Sequence, residues 1–362
     1  MRVRWTCSCL LATVMFFATV VQALACTGIT LTAADGSVVR GRTLEFGHPM
    51  ESDVILIPRG IALAGTTPDG QDDGLQWTTK YAAGGANGLG LLEIVDGLNE
   101  KGLGGGLFYF PDFAGYQDIA ADERSQALAP WQVITWALTS FATVDEVRAA
   151  LPDIRVGNVT FDAWGIVPPT HYVLTDATGA SIVIEYVDGD LNVYDDAIGV
   201  VTNAPAFDWH MTNLRNYINI SPSPQAAVTL DNVNLDPLST GGNLFGMPGD
   251  FSSPSRFVRA VVFSKMSPQA ATGQDAVMQG FHILDNFDIP EGAVPEPAGS
   301  DPPYEITEWT TMSDLTALTF YIWTSDNRAI RTLDLNAVDL AGSEIQTFPL
   351  DQAQTFVDLG GS

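Results

Sequence analysis

The chain has 362 residues, and its 43 acidic side chains outnumber its 16 basic ones, which gives a formal net charge of −27. So large an acidic excess argues against nucleic acid and anionic membrane surfaces as partners, because both repel a negatively charged protein. After residue 25, no stretch approaches the roughly 20 consecutive apolar residues that a membrane span requires. The composition therefore predicts a folded protein whose partners are neither nucleic acid nor a bilayer.

The N-terminal segment has the features of a cleavable secretory signal, namely Arg2 and Arg4, an apolar run over residues 10–21, and small residues at Ala23 and Ala25. We predict a signal peptide over residues 1–25 and a single domain over residues 26–362, in an exported bacterial protein that is periplasmic or secreted. No membrane insertion is expected after the signal is removed. Two alternatives stay open, an uncleaved N-terminal anchor and lipidation of Cys26, because a lipidated cysteine also follows a short apolar segment.

Cleavage after residue 25 would place two reactive groups on one residue. Cys7 and Cys9 lie in the predicted signal, so Cys26 is the one cysteine of the predicted mature chain and has no internal disulfide partner. Its free α-amine, with an unperturbed pKa of about 7.7–8.0, would accept the thiol proton near neutral pH. We predict that Cys26 is a nucleophile with its own general base, and the alternative is an inert buried cysteine.

The first predicted elements bring two charged residues towards this cysteine. Residues 26–33 and 38–46 predict two strands of a β-hairpin joined by a short turn. Because paired strands lie about 5 Å apart, we expect Arg42 and Glu45 to lie close to Cys26. Arg42 would lower the pKa of the thiol, and Glu45 would hold the α-ammonium. The alternative for these two residues is an ordinary cross-strand ion pair.

The rest of the pattern alternates blocks of strands with blocks of helices. Further strands are expected at residues 54–58, 103–110, 171–175, 181–187, 191–194, 198–202, 308–312, 317–323 and 329–335, with a turn at 96–102. Helices are expected at residues 130–151, where Thr143 caps the second of two, and at 208–217, 255–266 and 275–284. Residues 221–250 and 290–303 predict long loops. This order indicates a layered α+β domain.

Two further groups of residues bear on a binding site. The aromatic run Phe108, Tyr109 and Phe110 predicts either the wall of an apolar substrate pocket or plain core. The four histidines lie far apart in the sequence, at His48, His171, His210 and His282. Their spacing does not match a metal-ligand pattern, so we predict structural histidines, no metal and no cofactor.

Five segments in chain order resemble one known family. They are residues 26–28 (Cys-Thr-Gly), 41–45 (Gly-Arg-Thr-Leu-Glu), 96–103 (Asp-Gly-Leu-Asn-Glu-Lys-Gly-Leu), 201–210 (Val-Thr-Asn-Ala-Pro-Ala-Phe-Asp-Trp-His) and 246–257 (Gly-Met-Pro-Gly-Asp-Phe-Ser-Ser-Pro-Ser-Arg-Phe). Each segment alone is a weak signal. The ordered set spans nearly all of the predicted mature chain and resembles the choloylglycine hydrolase family, which includes bile salt hydrolases and penicillin V acylases.

The resemblance implies an N-terminal nucleophile hydrolase with a four-layer αββα sandwich. In such an enzyme, Cys26 attacks a linear amide and forms a thioester acyl-enzyme, and its α-amine is the base. The resemblance further implies that Arg42 supports the thiolate, that Asn203 donates to the oxyanion, and that Arg256 belongs to the charge network. Residues 221–250 resemble the projecting assembly loop of the family, which implies a homotetramer.

Two departures from the family pattern bear on the substrate. Glu45 stands where better-known members have Asp, which is one methylene shorter. Tyr109 stands where bile salt hydrolases have Asn, and a tyrosine there resembles penicillin V acylases. We therefore expect a small-molecule N-acyl amide of the penicillin V or N-acyl homoserine lactone type, bound by Tyr109, Phe108 and Phe110. The alternatives are a conjugated bile salt hydrolase and a lipidated, non-catalytic binding protein.

Overall fold

A computed structural model describes residues 25–296, 300 and 303–360. All of the predicted signal except Ala25 lies outside the described residues. In the part of the chain that the structure describes, no helix is long and apolar enough to span a bilayer.

Two β-sheets form the centre of the fold. The first has the strand order β14-β1-β2-β18-β19-β20, with β17 paired to β18, and its strands are β1 (Cys26–Thr32), β2 (Val38–Phe46), β14 (Val200–Val201), β17 (Val294–Pro295), β18 (Tyr304–Asp314), β19 (Thr319–Thr324) and β20 (Asn327–Asp334). The second has the order β13-β12-β11-β8-β7-β6-β3-β21, and its strands are β3 (Val54–Ile57), β6 (Ala83–Ala86), β7 (Asp96–Asn99), β8 (Gly104–Tyr109), β11 (Thr170–Thr175), β12 (Ser181–Val187), β13 (Asp190–Asp195) and β21 (Gln346–Phe348). Both sheets are antiparallel throughout the described pairings.

The smaller elements lie outside these sheets. Three two-stranded pairs are β4 (Ala62–Ala64) with β5 (Gln76–Thr78), β9 (Ala127–Leu128) with β10 (Arg155–Val156), and β15 (Val228–Leu230) with β16 (Val233–Leu235). The α-helices are α1 (Val133–Ser140), α2 (Val144–Ala150), α3 (Phe207–Leu214), α4 (Ser253–Met266) and α5 (Gly273–Leu284). The predicted cap of α2 is present, because Thr143 Oγ1 accepts from the backbone N–H of Glu146 at 3.2 Å.

The hydrophobic core divides into layers that define the architecture. Phe281 on α5 packs in one cluster with Ile29 and Val39 of the first sheet, and Ile134 on α1 packs in another with Leu174 of the second sheet. A third cluster lies between the sheets and joins side chains such as Leu44, Trp309, Leu56 and Leu98. The order is helices, sheet, sheet, helices, which confirms the predicted α+β fold and its four-layer αββα sandwich.

The two sheets are also joined by a buried ion pair. Arg40 Nη1 on β2 lies 2.8 Å from Asp96 Oδ1 on β7, and both side chains are almost fully buried. Thr311 Oγ1 on β18 donates to the other oxygen of Asp96 at 2.7 Å. Because the Asp96 carboxylate has partners on both of its oxygens, these contacts offset the cost of its desolvation. The ion pair also holds the two sheets together near the end of β1.

Four sequence-based expectations need correction. Residues 96–102 were expected to form a turn, but Asp96–Asn99 form β7. Its Gly97 faces Gly85 so closely that a Cβ on Gly85 would lie 2.5 Å from the Gly97 Cα. The close approach requires glycine, so this strand lacks the β-branched residues from which a strand is predicted. The predicted strand at 198–202 shortens to Val200–Val201. The predicted loops at 221–250 and 290–303 contain the β15–β16 hairpin and β17, respectively.

Candidate active site

The Cys26 thiol is fixed beside a guanidinium. Cys26 begins β1 opposite Leu44 of β2 and is 3 % exposed. Arg42 Nη2 lies 2.6 Å from the Cys26 Sγ. The Arg42 guanidinium also donates to the carbonyl oxygen of Leu107, and it stacks over the Phe108 ring at 4.1 Å. The sequence-based expectation that the hairpin would bring Arg42 to the thiol agrees with this geometry.

Opposing effects act on the pKa of the Cys26 thiol. Burial raises the pKa of the Cys26 thiol, and this outweighs the nearby Arg42 cation, which acts in the opposite direction. Glu45 also raises this pKa, whereas Arg256 and the backbone N–H of Tyr109 lower it. The expected direction of the Arg42 effect is therefore present, but burial outweighs it in the chain with Ala25 attached. Thiolate formation needs a further group that accepts the proton.

The backbone nitrogen of Cys26 faces the side chain of Asn203. Cys26 N donates to Asn203 Oδ1 at 2.7 Å, and Arg256 Nη2 donates to the same oxygen at 2.6 Å. Asn203 Nδ2 donates to the carbonyl oxygen of Tyr109 at 2.7 Å. Because both groups that face Oδ1 are donors, the orientation of the amide is determined. Asn203 therefore presents its oxygen to the Cys26 nitrogen, and its predicted role as an oxyanion donor stays a prediction.

Arg256 joins three parts of the chain. It lies near the start of α4 and is 1 % exposed. Its Nη1 donates to the carbonyl oxygen of Cys26 and, at 3.0 Å, to Thr27 Oγ1, while its Nε donates to the carbonyl oxygen of Phe251 at 2.8 Å. With its bond to Asn203, the guanidinium holds the start of β1 against α4. This agrees with a place for Arg256 in the charge network.

Two buried glutamates contact the residue that precedes Cys26. Ala25 N donates to Glu305 Oε1 at 2.6 Å, and Glu45 N donates to the Ala25 carbonyl oxygen at 2.9 Å. Glu45 Oε1 accepts from Thr307 Oγ1 at 3.3 Å, and Glu45 Oε2 has no hydrogen-bond partner within the described part of the chain. Burial raises the pKa of Glu45 to about 8 and that of Glu305 to about 7, although the Arg256 cation lowers both. The predicted contact of Glu45 with a free α-ammonium stays a prediction.

We call these two surroundings of Cys26 the thiol side and the amine side. The thiol side comprises Sγ, Arg42 and the apolar pocket described below. The amine side comprises the Cys26 nitrogen with Asn203, Arg256, Glu45 and Glu305. One residue at the start of a strand thus faces a cation and apolar surface with its side chain, and a network of polar and acidic groups with its backbone.

Two buried histidines fix the backbone that carries Asn203. His171 Nε2 lies 2.9 Å from the Thr202 carbonyl oxygen, and His210 Nε2 lies 2.9 Å from the Asn203 carbonyl oxygen. A carbonyl oxygen only accepts, so each Nε2 carries a proton. Glu185 Oε1 lies 3.1 Å from His171 Nδ1, and burial lowers the pKa of His210 to about 4, so that this ring stays neutral. Within the described residues, no group of three or more His, Cys, Asp or Glu side chains is arranged to hold a metal.

An apolar pocket opens at the thiol side and encloses about 650 Å³ of empty space, its open mouth included. It is lined by Cys26, Arg42, Leu44, Phe46, Met50, Gly88, Leu89, Leu91, Val95, Leu107, Tyr109, Trp131, Phe161, Trp164, Pro168 and Thr170. Within this lining, Arg42 alone carries a formal charge, and that charge already faces Cys26. The pocket is therefore suited to an apolar group whose reacting atom lies beside Sγ.

One wall of the pocket is a row of aromatic rings in mutual contact. Phe46 stacks on Trp164 at 5.3 Å, Trp164 meets Phe161 edge-on at 5.4 Å, and Phe161 meets Trp131 edge-on at 5.3 Å between ring centroids. Such pairs favour fixed relative orientations. The row gives the pocket a rigid apolar surface that a bulky acyl group could cover.

The structure brings only one of the three predicted aromatic residues to this pocket. Tyr109 lines it, and burial raises the pKa of the Tyr109 phenol to about 12, so the ring is neutral. Phe108 and Phe110 are fully buried, with Phe108 beneath Arg42 and Phe110 stacked on His171 at 4.4 Å. Successive side chains of a strand point to opposite faces, which separates these two rings from Tyr109. The prediction that they bind substrate is corrected accordingly.

Fold and site together define a class of protein. A buried cysteine starts a central strand of an αββα sandwich, next to a guanidinium and an apolar pocket, and this is the architecture of an N-terminal nucleophile hydrolase.

Comparison with known proteins gives the family. The model of the linear amide C–N hydrolases, choloylglycine hydrolase family, matches residues 26–348. The bile salt hydrolase/transferase of Clostridium perfringens is 31 % identical over 89 % of this chain and 96 % of its own length. The penicillin V acylase of Pectobacterium atrosepticum is 25 % identical over 84 % of this chain and 78 % of its own. A crystal structure of a mutant conjugated bile acid hydrolase from Clostridium perfringens superposes with a TM-score of 0.82, at 28 % identity, over 92 % of this chain and 99 % of that one.

The chain belongs to the choloylglycine hydrolase family of linear amide C–N hydrolases, as the resemblance implied, and it is an enzyme that acts on the carbon–nitrogen bond of linear amides. The family match begins at Cys26, the first residue of the predicted mature chain.

Sequence reasoning missed three sets of residues in the site. Glu305 lies 280 positions from its partner Ala25, and the aromatic row is drawn from segments more than 100 positions apart. His171 and His210 were expected to be structural, but their contact with the Asn203 segment was not foreseen. Glu305 and the residues of the aromatic row lie in no motif of the sequence, and the contacts of all these residues exist only in the folded chain.

Proposed function

We propose that this enzyme hydrolyses an N-acyl amide through a thioester on Cys26, with its own α-amine as the proton carrier. The observation that carries the proposal is the 2.6 Å contact between Arg42 Nη2 and Cys26 Sγ at the mouth of an apolar pocket. The proposal requires that the chain begin at Cys26, because the amine exists only after the bond to Ala25 is cut. We include in it the export of the protein to the periplasm or beyond.

The reaction has two halves. In the first, the α-amine takes the thiol proton, Sγ attacks the carbonyl carbon, and the carbon–nitrogen bond breaks as the protonated amine returns that proton to the leaving nitrogen. In the second, a water molecule gives a proton to the α-amine, adds to the thioester carbonyl and releases the acid and the thiolate. Arg42 favours the thiolate in both halves, since a fixed cation lowers the energy of the anionic sulfur.

The oxyanion that forms in each half needs donors near Sγ. The backbone N–H of Tyr109 lowers the pKa of the Cys26 thiol, so we assign it as one such donor. Asn203 is the second predicted donor, and it reaches the oxyanion only if its NH₂ group leaves the Tyr109 carbonyl oxygen. Cleavage after Ala25 converts the Cys26 amide N–H, which holds Asn203 Oδ1, into an α-amine. We propose that Asn203 rearranges as a consequence of this change.

For the substrate, we propose a conjugate of a bulky apolar acid with a small amine, of the conjugated bile salt type. Its support is the higher similarity to bile salt hydrolases than to penicillin V acylase in both identity and coverage, together with a pocket whose walls are apolar. A penicillin V type substrate is the second candidate, because Tyr109 lines the pocket at the position that resembles penicillin V acylases. N-acyl homoserine lactones also carry an apolar acyl group on an amide nitrogen, and they belong to the same test panel.

A substrate panel tests this proposal. Chain beginning at Cys26, verified by intact mass, is incubated with glycine- and taurine-conjugated bile salts, penicillin V and N-acyl homoserine lactones of several lengths, and amine release is measured. Preferential cleavage of the bile conjugates is expected, and preference for penicillin V would select the second candidate. Acid-quenched samples should show Cys26 with the mass of the bound acyl group, and the Cys26→Ala variant should show neither signal.

The same mass measurement separates the proposal from a lipidated, non-catalytic binding protein. A diacylglyceryl group on Cys26 would consume the thiol, and acylation of its nitrogen would remove the base. Protein isolated from an exporting bacterium should therefore have an unmodified Cys26 at its N-terminus. A retained residue before Cys26, or a lipid mass on it, would contradict the proposed mechanism.

We further propose that the enzyme is a homotetramer assembled through residues 221–250. The support is the β15–β16 hairpin, whose Val228, Leu230, Val233 and Leu235 are each at least half exposed. A lone two-stranded hairpin is marginally stable in water, so a second copy of the chain would stabilise it by covering these side chains. Light scattering of the protein at micromolar concentration should give a mass four times that of one chain. Replacing Leu230 and Val233 with Ser should reduce this measured mass.

A further inference from the structure

The peptide unit that precedes Cys26 lies in a built polar site. Ala25 N donates to Glu305 Oε1 at 2.6 Å, and Glu45 N donates to the Ala25 carbonyl oxygen at 2.9 Å. Glu305 is 2 % exposed and Glu45 is fully buried. Both backbone groups of Ala25 therefore have partners, and one of these partners is an acid that no motif of the sequence marked.

Glu305 reaches this position from β18. Thr307 on β18 is paired in register with Glu45 on β2, and Glu305 lies two residues before Thr307 on the same face of the strand. The three side chains thus face one space at the end of the hairpin, beside the start of β1. Glu45 Oε1 is engaged by Thr307, and its Oε2 has no partner among the described residues.

Cutting the bond between Ala25 and Cys26 removes the partner of Glu305 and creates a cation beside it. Ala25 leaves with the N–H that Glu305 had bound, and the Cys26 nitrogen becomes an α-ammonium one residue along the chain. A buried carboxylate without a partner is costly, and a buried ammonium is costly for the same reason. The two new groups satisfy each other if they meet.

We propose that Glu305 is a positioning residue that binds the Cys26 α-ammonium once Ala25 is removed. This inference rests on the proposed function, since it concerns the mature N-terminus. In the mature enzyme, the ammonium is held between Glu305 on one side and Asn203 Oδ1 on the other, so the amine lone pair formed on deprotonation is directed towards Sγ.

The charged groups around this position support the assignment. Arg256 on α4 and Glu45 on β2 face Glu305, as does Glu296 on the segment after β17. In the uncut chain, burial raises the pKa of Glu305 to about 7, with Arg256 opposing and Glu296 adding to the shift. An ammonium at Cys26 adds a second cation next to Arg256, which favours the ionised form of Glu305.

The experiment compares chain beginning at Cys26, verified by intact mass, with its Glu305→Gln and Glu305→Asp variants. The matched control is Asp196→Asn, which neutralises another buried carboxyl of raised pKa that is bonded to the Gly199 and Val200 N–H groups near the far end of β1. Two profiles are recorded from pH 5 to 9: kcat and KM for the best substrate of the panel, and the rate of Cys26 alkylation by iodoacetamide. The second needs no substrate. Thermal melting reports folding of every variant.

A carboxylate raises the pKa of both the ammonium and the thiol. Its loss should therefore shift the acid limb of both profiles to lower pH. For Glu305→Gln we expect a shift of about one pH unit in each and about a tenfold fall in kcat at the optimum, with KM within twofold. The profiles of Glu305→Asp should lie between those of Glu305→Gln and the wild type. The profiles of Asp196→Asn should superpose on those of the wild type.

Coincident acid limbs for Glu305→Gln and the wild type would overturn the inference, as would a loss of kcat in Asp196→Asn equal to that in Glu305→Gln. If Glu305→Gln does not fold, Glu305→Asp decides by the same criteria. If the wild type cleaves no amide of the panel, the proposed function fails, but the alkylation profiles still decide the role of Glu305.

Discussion

The thiol side and the amine side of Cys26 meet at one residue and differ in almost every property. On the thiol side, one guanidinium lies in an otherwise apolar setting, which continues into the pocket. On the amine side, the Cys26 nitrogen donates to the Asn203 amide oxygen, a second guanidinium donates to the same oxygen, and the buried acid Glu305 binds the preceding residue. The difference separates two tasks. Apolar surroundings bind an acyl group and exclude water, while the polar network controls where the proton of an N-terminal amine resides.

The largest effect is expected from removing the sulfur, on which both sides act. Cys26→Ser keeps the α-amine and the shape of the residue but replaces an acidic thiol with a hydroxyl that the amine cannot readily deprotonate. We expect the rate of amide hydrolysis to fall by about 10³-fold or more. The variant must have the same mature N-terminus, checked by intact mass, and the same melting temperature. Activity within tenfold of the wild type would show that the two sides do not act through the sulfur.

The next effect breaks the amine side alone. Asn203→Ala removes the acceptor that the Cys26 nitrogen and Arg256 share, and it removes a predicted oxyanion donor. Loss of such a group typically lowers turnover by about 10²–10³-fold. Iodoacetamide alkylation of Cys26 should change much less, because Arg42 remains beside the sulfur. Asn216→Ala, an exposed asparagine after α3, is the matched control, and equal losses in both assays would contradict a division between the sides.

A smaller effect should follow from changing the pocket while both reactive groups remain. Trp164→Ala removes the middle of the aromatic row and with it contacts on two neighbouring rings. An apolar contact of this kind is worth about 1–3 kcal/mol, so KM for a bulky acyl substrate should rise about tenfold or more while kcat changes less. Trp209→Ala, which removes a partly exposed indole outside the pocket, should leave KM unchanged. A fall in kcat alone would place Trp164 outside acyl binding.

The smallest effect concerns the stability of the uncut chain. Burial raises the pKa of Glu45 from its ordinary 4.5 to about 8, so between these pH values the folded chain binds a proton that the unfolded chain releases. A raised carboxyl pKa means stability that is present at low pH and lost as the pH rises. For protein that retains Ala25, the free energy of unfolding should fall between pH 5 and pH 8 by about 1–3 kcal/mol more in the wild type than in Glu45→Gln.

Urea unfolding at the two pH values measures this difference. Glu344→Gln, which changes an exposed carboxyl, should behave as the wild type. Parallel pH dependence in the wild type and Glu45→Gln would show that burial does not raise the pKa of Glu45 in the uncut chain.

The two sides also differ in how far the sequence reveals them. Cys26 and Arg42 lie on neighbouring strands joined by a short turn, so strand periodicity and hairpin geometry were enough to bring them together. The caps of α2 and α5 are local as well, and Thr143 and Thr272 both bond the backbone three residues ahead. Local signals of this kind depend on a few consecutive residues, and sequence reasoning evaluates them reliably.

The amine side and the pocket depend on pairings over long distances in the chain. Glu305 is one glutamate among many until β18 pairs with β2, and Trp164 is one tryptophan until it stacks on Phe46. Family resemblance supplied Asn203 and Arg256, which no periodicity would have selected. The aromatic run suggested Phe108 and Phe110 as a pocket wall, and strand alternation overrides that expectation, because neighbouring residues of β8 point to opposite faces.

The contact between Ala25 and Glu305 spans 280 positions, and that from Arg256 to Cys26 spans 230. These contacts close some of the longest loops that a chain of this length can form, and long loops cost the most chain entropy. The nucleophile and Arg42 are made early in synthesis, whereas Asn203, Arg256 and Glu305 are made much later. A nascent or truncated chain that ends before β18 holds the cysteine without Glu305 and without the strand that pairs with β2. If Glu305 acts as proposed, full hydrolytic activity requires that the chain has been made at least as far as β18.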